Sequence, residues 1–207
     1  SAVLGEIEAT LGQVKGNRSL QRMLLEPIRA QAGSRDEPEF RRSFLTLMVC
    51  QSLGGRVDQA VPAGAGIEFF AAALDVFDDV EDLDASESLW RKYGRAQALN
   101  AANALLMLAQ LAVARLKLKK VDDSTITRVM ETIARHGTTA CAGQHYDLAW
   151  ESQPFIHEAQ YFKMTRMKSA SLVECACCVG AVLANVDEKT VSSFSLFGRN
   201  LGIAAQI

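Results

Sequence analysis

The chain has 207 residues, 49% of them apolar and 22% charged, with a formal net charge of −2. That length allows a sizeable core in one domain, and the balance excludes a disordered chain as well as a strongly basic, nucleic-acid-binding one. Five cysteines, an odd number without regular spacing, argue against a disulfide framework and suit reduced thiols in the cytoplasm.

Only four prolines occur, alanine- and leucine-rich segments keep helical periodicity, and no β-branched run alternates with polar residues, so an all-α chain is predicted. Helices are expected at about 3–15, 19–32, 38–53, 62–83, 90–119, 124–150, 157–184 and 188–207. Long helices joined by short turns should pack as an antiparallel bundle, whose core offers a central cavity. The N-terminal residues show no basic segment followed by an apolar run, so no signal peptide is expected. Gly54-Gly55 fits a C-cap of the third helix.

The fourth helix carries the strongest signal, Asp75-Val-Phe-Asp78-Asp79-Val-Glu-Asp82, directly after the apolar Phe69 to Leu74. At about 100° per residue, Asp75, Asp78, Asp79 and Asp82 fall within an arc of roughly 100°, and Glu68 projects onto the same stripe two turns earlier. Such like-charge neighbours repel and call for a cation. Carboxylates suit Mg²⁺, which keeps waters and binds one or two carboxylates together with substrate phosphates. An EF-hand starting at Asp82 fails, because Glu87 and Tyr93 stand where Gly and Glu are needed.

Ala96 to Ala114 is the most apolar stretch, but Gln97, Asn100, Asn103 and Gln110 interrupt it, so a buried helix fits better than a membrane span. Its cationic end (Arg115, Lys117, Lys119, Lys120) suits a helix C-terminus, and Asp122-Asp123-Ser124 suits the next N-cap. Gly143-Gln144-His145-Tyr146-Asp147 then places Gln144 and Asp147 on one turn. His145 reads as a structural histidine, and His136 and His157 carry no stronger signal. Arg166-Met-Lys168-Ser169 puts a lysine at the start of an apolar helix, a costly arrangement unless an anion meets it. Cys175, Cys177 and Cys178 lack zinc-finger spacing and read as core. Gly198-Arg199-Asn200-Leu-Gly202 reads as the start of a further helical segment, with Gln206 a turn beyond. No nucleophile elbow and no P-loop pattern is present.

These segments resemble, in order, blocks of the trans-isoprenyl diphosphate synthases, also called polyprenyl synthetases. Asp78, Asp79 and Asp82 are similar to the family's first Asp-Asp-x-x-Asp motif, Ala98 to Leu106 to the small-residue helix after it, Gly143-Gln144 with Asp147 and Lys168-Ser169 to two further blocks, and Phe197 to Gln206 to a last one. The resemblance runs from about Arg42 to Ile207. It implies the isoprenoid synthase fold, a homodimer through the central helices, and Mg²⁺-dependent condensation of an allylic diphosphate with isopentenyl diphosphate. In that reading Asp78, Asp79 and Asp82 hold Mg²⁺, Lys168 with the adjacent Ser169 neutralises the diphosphate, Arg42 matches the last arginine of the isopentenyl diphosphate site, and Gln144 and Gln206 are polar cavity residues. Phe70, Ala73 and Leu74 form the chain-length wall. Small Ala73 and Leu74 before the motif imply a product longer than farnesyl, such as geranylgeranyl diphosphate.

The sequence also departs from the family. No second aspartate-rich motif follows Gln206-Ile207, and no paired arginines stand between Asp84 and Trp90, so the chain is expected to be part of a longer single-domain polypeptide. Glu39, Phe40 and Ala71 occupy positions where the family's isopentenyl diphosphate site uses lysine, arginine and histidine, a loss for which Arg41, Arg91 or Lys92 would have to compensate. Two other readings share the fold: a class I terpene cyclase or divergent prenyltransferase, and a noncatalytic subunit of a prenyl synthase.

Overall fold

The computed structural model describes residues 1–31, 41–83 and 88–206. They form α1 (Ala2–Leu11), α2 (Arg18–Gln31), α3 (Arg41–Ser52), α4 (Val57–Glu81), α5 (Leu89–Tyr93), α6 (Arg95–Ala114), α7 (Asp123–Trp150), α8 (Glu158–Thr165), α9 (Ser171–Leu183) and α10 (Glu188–Ala204). A 3₁₀ turn (Arg115–Lys119) follows α6, and a π-helical turn (Arg166–Ala170) joins α8 to α9. Among the described residues there is no strand, as the sequence predicts. Two compact units are present, one of residues 1–44 and 61–121 and one of residues 45–60 and 122–207.

In the first unit, α1, α2 and α5 pack on α6, and α2 also meets α5. Helix α4 approaches α6 at Gly66, where a Cβ would stand 2.9 Å from Val113 Cγ2. Phe69, Ala71, Ala72, Ala73 and Val76 are buried. Fully burying one such Phe or Val contributes about 1.5–3 kcal/mol, against a few tenths for each like-charge pair on a helix surface. The apolar face therefore outweighs the repulsion of the acidic stripe, and α4 stays helical through it.

Helix α4 starts at Val57, earlier than the expected 62, with Pro62 inside it. The missing Pro62 amide would have bonded the carbonyl of Asp58, an exposed first-turn residue that water can satisfy. The expected helix 90–119 is broken at Gly94, whose φ of +85° separates α5 from α6. Glycine reaches that conformation without a Cβ penalty. Nor is α6 buried all round: its exposed face carries Leu99, Met107 and Leu111 together with Gln97, Asn100, Asn103 and Gln110. By length and composition alone, Val57–Glu81 and Arg95–Lys119 could cross a membrane; 83% of the first apolar window is buried inside the protein and 44% of the second.

In the second unit, α9 packs between α7 and α10. Val49, Cys177 and Ala181 form a buried cluster against Leu45, Leu53, Val186 and Phe194. Thr46 Oγ1 donates to the Ala176 carbonyl at 3.1 Å and fixes α3 on α9. The C-terminus of α3 closes as the glycines predict: Gly54 is left-handed, its amide bonds Gln51 O at 3.0 Å, and the Gly55 amide bonds Cys50 O at 2.8 Å. Asp122 caps α7 by accepting from the Thr125 amide at 2.9 Å. All five cysteines are free. Burial pushes the Cys177 thiol up to about 12 and raises Cys175 as well, which makes both inert core residues.

Candidate active site

The acidic motif sits at the C-terminal end of α4, where the helix leaves its apolar surroundings. Asp78 and Asp79 are half-buried, Asp75 and Asp82 exposed. Asp82 lies just past the helix, but its amide still bonds the Asp78 carbonyl at 2.9 Å, so it stays in register with the stripe. Asp75, Asp78 and Asp79 line one cavity of about 380 Å³ with Glu26, Pro27 and Ala30 of α2 and with Ser88 and Leu89 at the start of α5. Ser88 is 5% exposed, and its hydroxyl is buried without a hydrogen-bond partner. On the rim, Glu26 accepts from Tyr93 Oη at 2.6 Å and from Lys92 Nζ at 2.8 Å, tying α5 to α2.

Among the described residues, no three acidic, histidine or cysteine side chains converge into a closed cage. Carboxylates spread around an open cavity fit Mg²⁺, which retains water and shares its coordination with phosphate, better than they fit Zn²⁺ or Ca²⁺. The donor set is all oxygen, which suits the same hard ion.

Glu68, on the same stripe two turns earlier, has a different task. It is 2% exposed and accepts from the Ser43 amide at 2.7 Å, in the first turn of α3. Burial raises its pKa, and the Ser43 bonds and the Arg42 charge partly offset that rise. Arg42, expected at a diphosphate, thus lies in the first turn of α3 under the influence of this buried carboxylate. On α4, Phe70 and Ala73 are buried and Leu74 is half-buried; Ala71 is fully buried. Glu39 and Phe40 lie outside the described residues.

The second unit holds the other predicted residues. Gln144 and Asp147 share a turn of α7, both half-buried. Asp147 Oδ2 accepts from Lys168 Nζ at 2.7 Å, so the lysine entering the helical core meets an anion as its type requires. Lys168 and Ser169 lie in the π turn, a form that often marks functional sites. Its close neighbour is Gly143: a Cβ there would stand 2.2 Å from the Lys168 backbone nitrogen. Gly202 of α10 meets the same turn, with Ala170 Cα 2.6 Å from where its Cβ would be. Gln206 is exposed in a turn after α10 ends at Ala204, so the expected helix to 207 stops short of it. Arg199 lies within α10, not at a helix start. His145 is exposed, and Asp147 is engaged by Lys168 rather than by this histidine.

One cluster escaped the sequence reading. Glu174 of α9, 8% exposed, accepts from Arg199 Nε at 3.0 Å and Nη2 at 2.7 Å and from Ser195 Oγ, and His136 Nε2 stands 3.8 Å away. The signal was a lone carboxylate in the apolar run 170–184.

The sequence profile described as polyprenyl synthetase matches residues 39–207. The chain belongs to the polyprenyl synthetase family. Its relatives include the geranylgeranyl diphosphate synthase of Mycobacterium tuberculosis, 29% identical over 81% of this chain and 48% of that protein. The tryptophan prenyltransferase ComQ of Bacillus subtilis strain 168 is 30% identical over 74% of this chain and 45% of its own length. Among solved structures, the geranylgeranyl pyrophosphate synthetase from Pyrococcus horikoshii matches with a TM-score of 0.86 and 26% identity over 99% of this chain and 61% of that one. The chain thus spans about half the length of the curated relatives it matches, within the all-helical fold of this family.

Proposed function

We propose that this polyprenyl synthetase is an Mg²⁺-dependent prenyltransferase that joins an allylic diphosphate to isopentenyl diphosphate in the cytoplasm, giving a longer trans-polyprenyl diphosphate such as geranylgeranyl diphosphate. The observation that carries this reading is the cavity lined by Asp75, Asp78 and Asp79 at the end of a buried apolar helix. Asp78, Asp79 and Asp82 would hold the metal, which when bound supplies positive charge to a departing diphosphate. Lys168, held at Asp147, is the cation of the second unit suited to a diphosphate, with Ser169 beside it and Gln144 and Gln206 as polar residues of the same reading. Arg42 is a further candidate cation. Phe70, Ala73 and Leu74 would bound the growing chain, and the small Ala73 favours a product longer than farnesyl. The protein would act as a homodimer.

The test is to incubate the protein with Mg²⁺, isopentenyl diphosphate and each allylic diphosphate from dimethylallyl to geranylgeranyl, and to identify products by mass. A longer diphosphate is expected from the wild type and none from Asp78→Ala. Elongation that survives in Asp78→Ala at the wild-type rate would remove the metal-binding role of the motif.

A second reading has one observation in its favour. Ala71 is fully buried without a polar group where the family's acceptor site has a histidine, and a tryptophan prenyltransferase stands among the relatives. In that case the donor diphosphate binds as above but the acceptor is an indole. Tryptophan that gains a prenyl mass, in an assay where isopentenyl diphosphate is not consumed, selects this reading.

A further inference from the structure

From Arg95 to Val121 the chain has no acidic residue, and every cation beyond Arg95 falls between Arg115 and Lys120, at the end of α6 and in its 3₁₀ turn. A cationic C-terminus follows from the helix dipole, whose influence fades within one turn. The dipole does not account for Leu118, which is 69% exposed in the middle of the cluster. Leu116 is fully buried and anchors the turn, which is closed by the Lys120 amide on the Lys117 carbonyl at 3.0 Å and the Val121 amide on the Leu116 carbonyl at 3.3 Å. Lys117 and Lys119 therefore flank Leu118 in a formed turn, and Lys120 follows. Arg115 has another role, since its Nε donates to Glu6 of α1. The next acidic residues serve the start of α7: Asp122 accepts from the Thr125 amide at 2.9 Å and hydroxyl at 2.8 Å, and Asp123 lies in the first helical turn.

This turn lies far from the acidic cavity. Ser88 and Leu89, which line the cavity, lead through α5 into the start of α6, whereas Gly66 of α4 faces Ala109, Ala112 and Val113 near its end. Helices α4 and α6 thus run antiparallel, and Leu118 stands roughly 35 Å along α6 from its start. The buried face of α4, from Val76 back to Phe69, runs from the cavity towards the same end. We propose that this end of α6 docks on an anionic bilayer, with Lys117, Lys119 and Lys120 at the lipid phosphates and Leu118 in the acyl boundary. Charge complementarity selects lipid, because lysine is depleted from the cores of protein interfaces but is favoured, beside an apolar residue, at anionic headgroups. The amides along the flank of α6 keep the helix itself out of hydrocarbon, so only its end meets the bilayer. A prenyl chain bounded by α4 would point at the docked membrane, but the docking stands or falls without that reading.

The test is co-sedimentation of the protein with vesicles of phosphatidylcholine alone and with vesicles that also contain phosphatidylserine. The wild type should bind the mixed vesicles about tenfold better or more, and added salt should release it. Replacing Lys117, Lys119 and Lys120 together by Gln should lower that binding about twentyfold, and Leu118→Ser should lower it about fivefold. Lys189→Gln, at an exposed position of α10, should stay within about twofold of wild type. Circular dichroism checks that each variant is folded, and the lipid and salt dependence of the wild type needs no variant at all. A wild type indifferent to phosphatidylserine, or a folded triple variant that binds like it, overturns the inference and leaves the proposed function standing. Leu118→Ser that loses vesicle binding together with half of the mass in light scattering assigns Leu118 to a contact between copies and overturns it as well.

Discussion

Glu174 is a buried carboxylate in the middle of an apolar helix, and its partners explain how it is tolerated. Burial opposes its charge, but the His136 ring 3.8 Å away and hydrogen bonds from Arg199 and Ser195 outweigh that penalty and hold its carboxyl well below the usual range. For His136, burial likewise opposes the charge, while the neighbouring Cys178 and Glu174 and the hydrogen bond that Nδ1 donates to the Thr132 carbonyl at 2.8 Å push its pKa up to about 10. The two shifts act at opposite ends of the pH scale. A depressed carboxylate contributes stability that is present above its unfolded value of 4.5 and is lost as the pH falls below it. A raised histidine contributes stability that is complete below its unfolded value of 6.5 and is lost as the pH rises towards about 10. The cluster is therefore fully stabilising between about pH 5 and 6.5. Glu174→Gln leaves His136 and Arg199 without their anion. Breaking a buried pair costs about 3–5 kcal/mol, and because Arg199 is partly exposed the expected loss is nearer 2–3 kcal/mol. Urea unfolding across pH 4–10 should show both this loss and a flatter pH profile in the variant. An unchanged profile would mean that the cluster does not set the pH dependence.

At the level of elements, the π turn and the glycines around it link sequence to chemistry most directly. Gly143 lets α7 approach the Lys168 backbone so closely that a methyl group there must displace the turn. Gly143→Ala should cost about 1–3 kcal/mol in stability from overpacking and should lower kcat about tenfold or more by moving Lys168 off Asp147. Thermal unfolding with steady-state kinetics separates the two effects, and a variant that loses stability with kcat intact would show the turn to be scaffold only. The π turn was not legible in the sequence, because a 3.6-residue apolar pattern over 157–184 absorbs one inserted residue without visible change. The Gly143-Gln144-Asp147 and Lys168-Ser169 segments were legible, since carboxylate, amide and lysine are costly types to send into a helical core. The acidic stripe of α4 was legible for the same reason, whereas the separate task of Glu68 depends on Ser43, 25 residues away, and no spacing rule reaches that far. Helix positions follow from periodicity, and the departures arise from local backbone chemistry: Pro62 lies inside α4 and not at its start, and Gly94 breaks the expected helix 90–119.

At the scale of the whole molecule, the exposed face of α6 decides between lipid and protein as its neighbour. Leu99, Met107 and Leu111 are 38%, 53% and 42% exposed, and Leu118 of the following 3₁₀ turn is 69% exposed. Exposed large apolar residues aligned on one helix mark an interaction surface. Gln97, Asn100, Asn103 and Gln110 lie among them. Hydrocarbon would leave four amides without partners, at several kcal/mol each, whereas a facing protein surface can hydrogen-bond them. A second copy of the chain is the partner that the proposed homodimer requires, and a two-fold axis would set like apolar residues against like. Met107→Lys with Leu111→Lys places two charges in that contact without touching the acidic cavity or the π turn. Light scattering should then report half the wild-type mass, with the circular dichroism of the helices retained. A variant that keeps the full dimer mass would remove α6 from the interface and turn attention to the exposed Leu196, Phe197 and Leu201 of α10.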